Sequence, residues 1–306
     1  MGQQLDFHLD SPLKGSVKSA RAIMEFPFFD LSRGGRKRLT YDDGETRIDV
    51  RAIEGSGIAN IYDKDLILYV ASLMVERMNA GEVPDREFVF TAHDFFRVAS
   101  RDSSKRSYDN LEAMIDRLKG TMIKTNIETG GEGVDGYFSW LDSGTAIAYR
   151  RDAKTGEKRL RAIKVVLCTW LYRAILKDGH ILTYHNSYFD LKPIERRLYD
   201  IARCHCGYQD RWTIGLEKLH KKIGVTAELK KVKALLVDLE ANQRLPEYNV
   251  YLVGLPRSPL TKAAQEAGLK PKRGPSLKSV QVVFMPKGKA LPEFRRDSAF
   301  EADEAA

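Results

Sequence analysis

Four residues within the stretch SSKRSYDNLEAMIDRLKGTMIKTNI (residues 103–127) have the types and spacing to read the edges of base pairs: Arg106, Asn110, Ala113 and Arg117. At about 100° per residue they fall at i, i+4, i+7 and i+11, a single stripe on one helix. A guanidinium can donate two parallel hydrogen bonds to guanine, a carboxamide can pair with adenine, and alanine is small enough to admit a thymine methyl. Ser103, Ser104 and Lys105 stand at the start of the same helix, where hydroxyls and backbone N–H groups suit phosphate. Asp109, Glu112 and Asp116 sit nearby and would repel DNA, so the pattern equally fits a solvated face.

A second stretch, AELKKVKALLVDLEANQ, repeats the arrangement. Leu229, Val232, Leu235, Leu236 and Leu239 share one face, leaving Lys230, Ala234, Val237 and Ala241 outward with Lys231 and Lys233 beside them. An outward valine among lysines suits groove contact or a partner helix better than water. Further phosphate contacts are expected from the loop carrying Arg33, Arg36, Lys37 and Arg38. Lys154, Lys158 and Arg159 at a hairpin tip, and Arg211 with Trp212, add to them.

Other chemistry is poorly supplied. Cys204, His205 and Cys206 in RCHCG lack the second Cys/His pair that a zinc site needs, so no metal is expected and the thiols read as reduced. His185 and Tyr188 in YHNSYFD bring to mind nicking enzymes, but the His-x-His arrangement those use for metal is missing. No P-loop, GxSxG or HExxH occurs, and the glycine-rich ETGGEGVDG lacks the strand, lysine and helix of a nucleotide site. The expectation is a protein that is not an enzyme and takes no cofactor.

Elements must position these residues. IYDKDLILYVASLMVERMNAGEVP is bounded by Asp63 as an N-cap candidate and by Gly81 ahead of Pro84, and reads as a core helix. EFVFT predicts a strand, AHDFFRVAS a short helix, and AIMEFPFFDL a strand or edge segment. The run from GYFSWLD to LCTWLYRAI predicts a strand series, with a charged turn at RRDAKTGEKR. KPIERRLYDIARCHCG, IGLEKLHKKIG and the lysine-rich helix follow, then a strand at EYNVYLVG and an edge strand at SVQVVFMPK. Helix, short helix, longer helix and strands is the order of a winged helix, and it occurs twice. The strand after residue 120 is then expected to be the first limb of a wing sheet.

The 306 residues carry 50 Lys and Arg against 42 Asp and Glu, a net charge of +8 that suits a polyanionic partner. No window approaches a membrane span and no secretion signal opens the chain, so a cytoplasmic protein is expected. The fold class expected is α+β, as two tandem winged-helix domains of the helix-turn-helix kind. The divisions are a flexible arm over 1–22, a first domain over 23–185, a second over 186–286 and a disordered tail over 287–306.

The segments IYDKDLILYVASL, YDNLEAMIDRLKGTMIKTNIETG, IERRLYDIARCHCGYQDRWTIGLEKL and LPEYNVYLV, in that order, resemble plasmid replication initiators of the RepA/TrfA-like family. The resemblance spans roughly residues 23–255. It implies binding of directly repeated double-stranded DNA sites (iterons) at a plasmid origin, opening of that origin, and recruitment of host replication proteins such as the initiator and helicase. It also implies copy control through a monomer–dimer balance, with the dimer repressing. By position, the helices over 103–119 and 228–241 correspond to recognition helices, and Cys204 departs from an expected basic residue. Rival readings are a winged-helix transcriptional regulator, a DNA nickase or recombinase, and a protein-interaction module.

Overall fold

Helices form where apolar residues recur at 3.6-residue spacing, and strands where they alternate or run together between turns. The computed structural model of the chain describes residues 9–32, 35–55, 57–151, 158–207, 209–254 and 277–289. The architecture is mixed helix and strand, in two compact units covering residues 1–200 and 201–306.

The first unit begins with β1 (Lys18–Ala20), α1 (Arg21–Glu25), β2 (Arg38–Asp42), β3 (Arg47–Ala52) and α2 (Lys64–Asn79). It continues through β4 (Glu87–Phe90), α3 (Ala92–Val98), α4 (Lys105–Lys119), β5 (Thr121–Thr125), β6 (Ala146–Arg151), β7 (Lys158–Val166), α5 (Thr169–Leu176) and β8 (Ile181–Thr183). Helix α6 (Pro193–Cys206) contains the boundary between the units. Pro193 occupies its first position, where the missing N–H costs nothing. Two three-stranded antiparallel sheets, β2-β3-β5 and β4-β7-β6, and a β1-β8 pair make up the strand content described for this unit.

Helix α2 is buried along its first twelve residues, as befits the central helix of a core. Tyr69 of this helix meets Phe90 and Phe95 edge-on, and Phe28, Phe88, Phe96, Trp140 and Trp170 are fully buried in the same unit. Phe29 stacks on Trp140 at 4.8 Å between ring centroids. Gly81, with φ 84°, follows the helix in the left-handed conformation that a residue with Cβ adopts only with strain.

The second unit carries β9 (Trp212–Gly215), α7 (Leu216–Ile223), α8 (Leu229–Asn242), β10 (Tyr248–Val253) and β11 (Gln281–Pro286). Gly224, at φ 79°, caps α7 in the left-handed region and turns the chain into α8. The sheet order is β10-β11-β9, antiparallel throughout.

Five expectations need correction. The part of the arm within the described residues, 9–22, is tied down: Leu13 and Val17 are buried. The backbone N–H of Leu13 donates to Asp94 at 2.9 Å, and β1 pairs with β8. The AIMEF segment forms α1 and not a strand, its helix-forming residues stopping before Pro27. LCTWLYRAI does not extend the strand series but turns into α5, burying Trp170, Leu171, Ala174 and Ile175 on one face. SVQVVFMPK supplies the central strand β11 and not an edge, which accounts for its unbroken buried run from Val282 to Met285. The wing assignment changes too, because β5 pairs with β3 while the hairpin β6–β7 adds to β4. The tail beyond Lys289 lies outside the described residues.

Candidate nucleic-acid interface

Helix α4 is anchored by Leu111, Met114, Ile115 and Leu118, all buried, with Tyr108 edge-on to Phe96 at 5.1 Å. That apolar stripe turns Lys105, Arg106 and Asn110 to solvent and leaves Ala113 half-buried. Asp109, Glu112 and Asp116 are exposed beside them. The face is thus mixed in charge, with two cations at its N-terminal end and three carboxylates along it.

The hydroxyl residues at the start of α4 serve the helix first. Ser104 is the N-cap and accepts from the Ser107 N–H at 3.4 Å. One oxygen of Asp102 accepts from the Ser104 N–H at 3.0 Å, the Ser104 hydroxyl at 2.6 Å and the Ser107 hydroxyl at 2.5 Å. Those hydroxyl donors hold the Asp102 carboxyl down at about 2. A carboxylate therefore occupies the position expected for phosphate, and Ser104 is committed to capping. Ser103 remains exposed.

Arg117 leaves the base-reading set. Its Nε and a terminal nitrogen donate to the two oxygens of Asp63 at 2.8 and 2.7 Å, a fork-to-fork pair. Asp63 is buried, whereas the Arg117 side chain stays 31% exposed. Burial pushes the Asp63 carboxyl up and the Arg117 guanidinium pulls it back; the hydrogen bond to Asp63 raises Arg117 in turn. Asp63 precedes α2 without capping it by a side-chain hydrogen bond. Sequence reasoning passed over this partner because it lies 54 positions away.

The neighbouring residues of α2 are committed in the same manner. Asp65 accepts from Arg101 at 2.8 Å and from Arg196 at 2.7 Å. Lys64, fully buried, meets Asp200 at 2.5 Å and Tyr184 at 3.0 Å, and Tyr184 donates to Asp200 at 2.8 Å. The only sequence signal was the alternation of charge in YDKD ahead of an apolar run.

Of the hairpin residues, Lys154 lies outside the described residues, and Lys158 and Arg159 are placed by backbone alone at the start of β7, opposite Arg151 and Arg150. Arg33 is likewise outside, while Arg36 donates to the Arg38 carbonyl at 2.6 Å and Arg38, itself exposed, pairs with Asp49 at 2.8 Å.

In the second unit, Val232, Leu236 and Leu239 anchor α8, and Leu229 and Leu235 are half-buried. Lys230, Lys231, Ala234, Val237 and Ala241 are exposed, Val237 to 42%, and Lys233 is half-buried. Lys218 and Lys221 on α7 add exposed cations that the sequence reading did not single out. Arg211 is exposed, but Trp212 belongs to β9 and stacks on His205 at 4.4 Å with nearly parallel rings. Its indole is part of the sheet's packing and is withdrawn from the contact set. Cys204 and Cys206 are buried, and the Cys206 thiol donates to the Phe284 carbonyl at 3.4 Å. Among the described residues no group of three or more His, Cys, Asp or Glu could hold a metal, and no helix is long and apolar enough to cross a membrane.

Comparison with known proteins places these features in a lineage. A protein of Wigglesworthia glossinidia brevipalpis that bears the provisional name replication protein is 36% identical over 247 residues, covering 80% of this chain and 88% of that one. Two crystal structures of domains 2 and 3 of RctB share the fold, at 14% and 13% identity. Their TM-scores are 0.56 and 0.52, covering 88% and 87% of this chain and 98% and 97% of theirs. The model of the family described as Replication initiator protein A matches residues 18–250. The chain belongs to that replication initiator family.

Proposed function

We propose that the chain initiates plasmid replication by binding repeated double-stranded DNA sites through two winged-helix units, with α4 and α8 as the recognition helices. The observation that carries it is the second unit: α7, a left-handed turn at Gly224 and α8 precede the β10–β11 hairpin, and α8 turns Lys230, Lys231, Ala234 and Val237 outward. Small apolar side chains between lysines suit a groove floor between phosphate walls. The first unit offers Arg106 and Asn110 in the same role, with fewer phosphate contacts. Origin opening, recruitment of the host initiator and helicase, and a dimer that represses initiation or its own promoter complete the proposal, as family membership suggests.

In this reading the protein has no catalytic centre. Tyr188, the residue a nickase would use, is fully buried against Tyr184, Phe189 and Tyr199, and burial pushes its phenol well above the ordinary value. Such a hydroxyl is neither accessible nor readily ionised.

Footprinting on the DNA flanking the gene tests the proposal: a ladder of protected repeats is expected, whereas one isolated protected site would favour a transcriptional regulator. Arg106→Ala or Asn110→Ala should cost about 1 to 3 kcal/mol against the repeat and relax base choice. Lys230→Ala should weaken all duplexes alike and reduce the salt slope by about 0.9.

A further inference from the structure

The apolar stripe of α4 settles which face is buried, and because apolar contact is non-directional it sets the roll of the helix about its own axis less sharply than a hydrogen bond does. Roll matters for base recognition. Side-chain atoms ride roughly 5 to 6 Å from a helix axis, so a roll of about 20° displaces an outward group by about 2 Å. Hydrogen bonds to base edges survive errors of only about 0.5 Å.

Directional contacts in the first unit supply what the stripe lacks. Arg117, in the last turn of α4, is clamped by both oxygens of buried Asp63, and Arg101, just ahead of the helix, is bound by buried Asp65 and by the Tyr62 carbonyl at 3.0 Å. Two carboxylates at the start of α2 thus seat α4 from both of its ends.

We propose that Asp63 is a positioning residue for base recognition: it fixes the roll of α4 through Arg117, and in the same contact it neutralises an arginine that would otherwise act as an unselective phosphate anchor. The inference rests on the reading of α4 as a recognition helix. It makes specificity depend on a carboxylate that never touches DNA. Losing it should shift binding from selective to unselective, an outcome different from a mere loss of structure.

The test uses the full chain, the repeat protected in the footprint and an unrelated duplex of equal length, titrated over a salt series. Asp63→Asn is expected to lower affinity for the repeat by roughly 5- to 150-fold, the worth of one well-aligned base contact. Affinity for the unrelated duplex should rise, with its log–log salt slope steeper by about 0.9 as Arg117 is freed. Arg117→Lys, which keeps the charge paired but replaces the fork by a single ammonium, should lower affinity for the repeat and leave that slope unchanged. Adding Arg117→Gln to Asp63→Asn should restore the original slope. Equal weakening of both duplexes by Asp63→Asn at unchanged slope, or no change in either, would overturn the inference and leave the functional reading standing. Wild-type protein without preference for any repeat would overturn both.

Discussion

Replacing Arg117 by Met leaves the Asp63 carboxylate buried without its hydrogen-bonded cation, and the size of the penalty follows from the surroundings. Breaking a buried ion pair from one side costs about 3 to 5 kcal/mol. Asp63 keeps the Asn60 N–H at 2.8 Å, and water reaches the 31% exposed Arg117 position, so the low end applies, about 3 kcal/mol at pH 7. Protonation caps the cost. Neutralising a carboxylate of ordinary value, about 3.9, requires about 1.4 kcal/mol per pH unit, hence about 4 kcal/mol at pH 7 but only about 1.5 kcal/mol at pH 5. The sign is fixed by direction. Burial already raises the Asp63 carboxyl, and loss of the arginine removes the chief influence lowering it. A raised carboxyl binds its proton more tightly folded than unfolded, so the variant's deficit is small near pH 4 and grows as pH rises. Thermal melts of the first-unit transition should show Arg117→Met about 6 to 12 °C below wild type at pH 7. At pH 5 the gap should be no more than about half of that. A deficit that is the same at both pH values, or below about 1 kcal/mol at pH 7, would refute the reasoning.

Lys64→Ala strands Asp200 in the same manner and should cost about 3 to 5 kcal/mol in urea denaturation, while Lys64→Met combined with Asp200→Leu should recover most of that loss. Cys168 and Cys206 are buried with their thiols pushed up to about 12 and about 11, and Cys204, close to Cys206 in sequence, is buried too. A thiol reagent at pH 8 should therefore leave the native chain untouched over minutes and titrate three thiols once it is unfolded. The Asp102 carboxyl, lowered to about 2, lends its capping contacts in full above about 3.9 and loses them as pH falls toward 2; carbon NMR should place its midpoint near 2, and Ser104→Ala should move it upward.

The long helices α2, α4, α6 and α8 were legible because each is bounded by local signals, such as Pro193 at the start of α6 and Gly224 ahead of α8. The buried face of α4 was legible for the same reason, since periodicity alone fixes it. What escaped was set by distant partners. Nothing local says that Arg117 meets Asp63 or that Trp212 meets His205 across a helix-to-strand turn. The apolar run at LCTWLYRAI suits a buried strand and a buried helix alike, and tertiary packing decides for α5. The polar look of residues 9–22 hid the anchors that hold them, buried Leu13 and Val17 and the pairing of β1 with β8.

Central placement of β11 has a consequence for the evolution of the chain. Val253, the last residue of β10, lies directly across from Gln281, the first of β11, so the ladder itself holds these two positions side by side. Loop-closure entropy grows slowly with length, each doubling costing only about 0.6 kcal/mol more. Insertions, deletions or an added tag within 255–276 should therefore be absorbed with the ladder intact. Related chains are free to diverge there in length and sequence without renegotiating the rest of the fold.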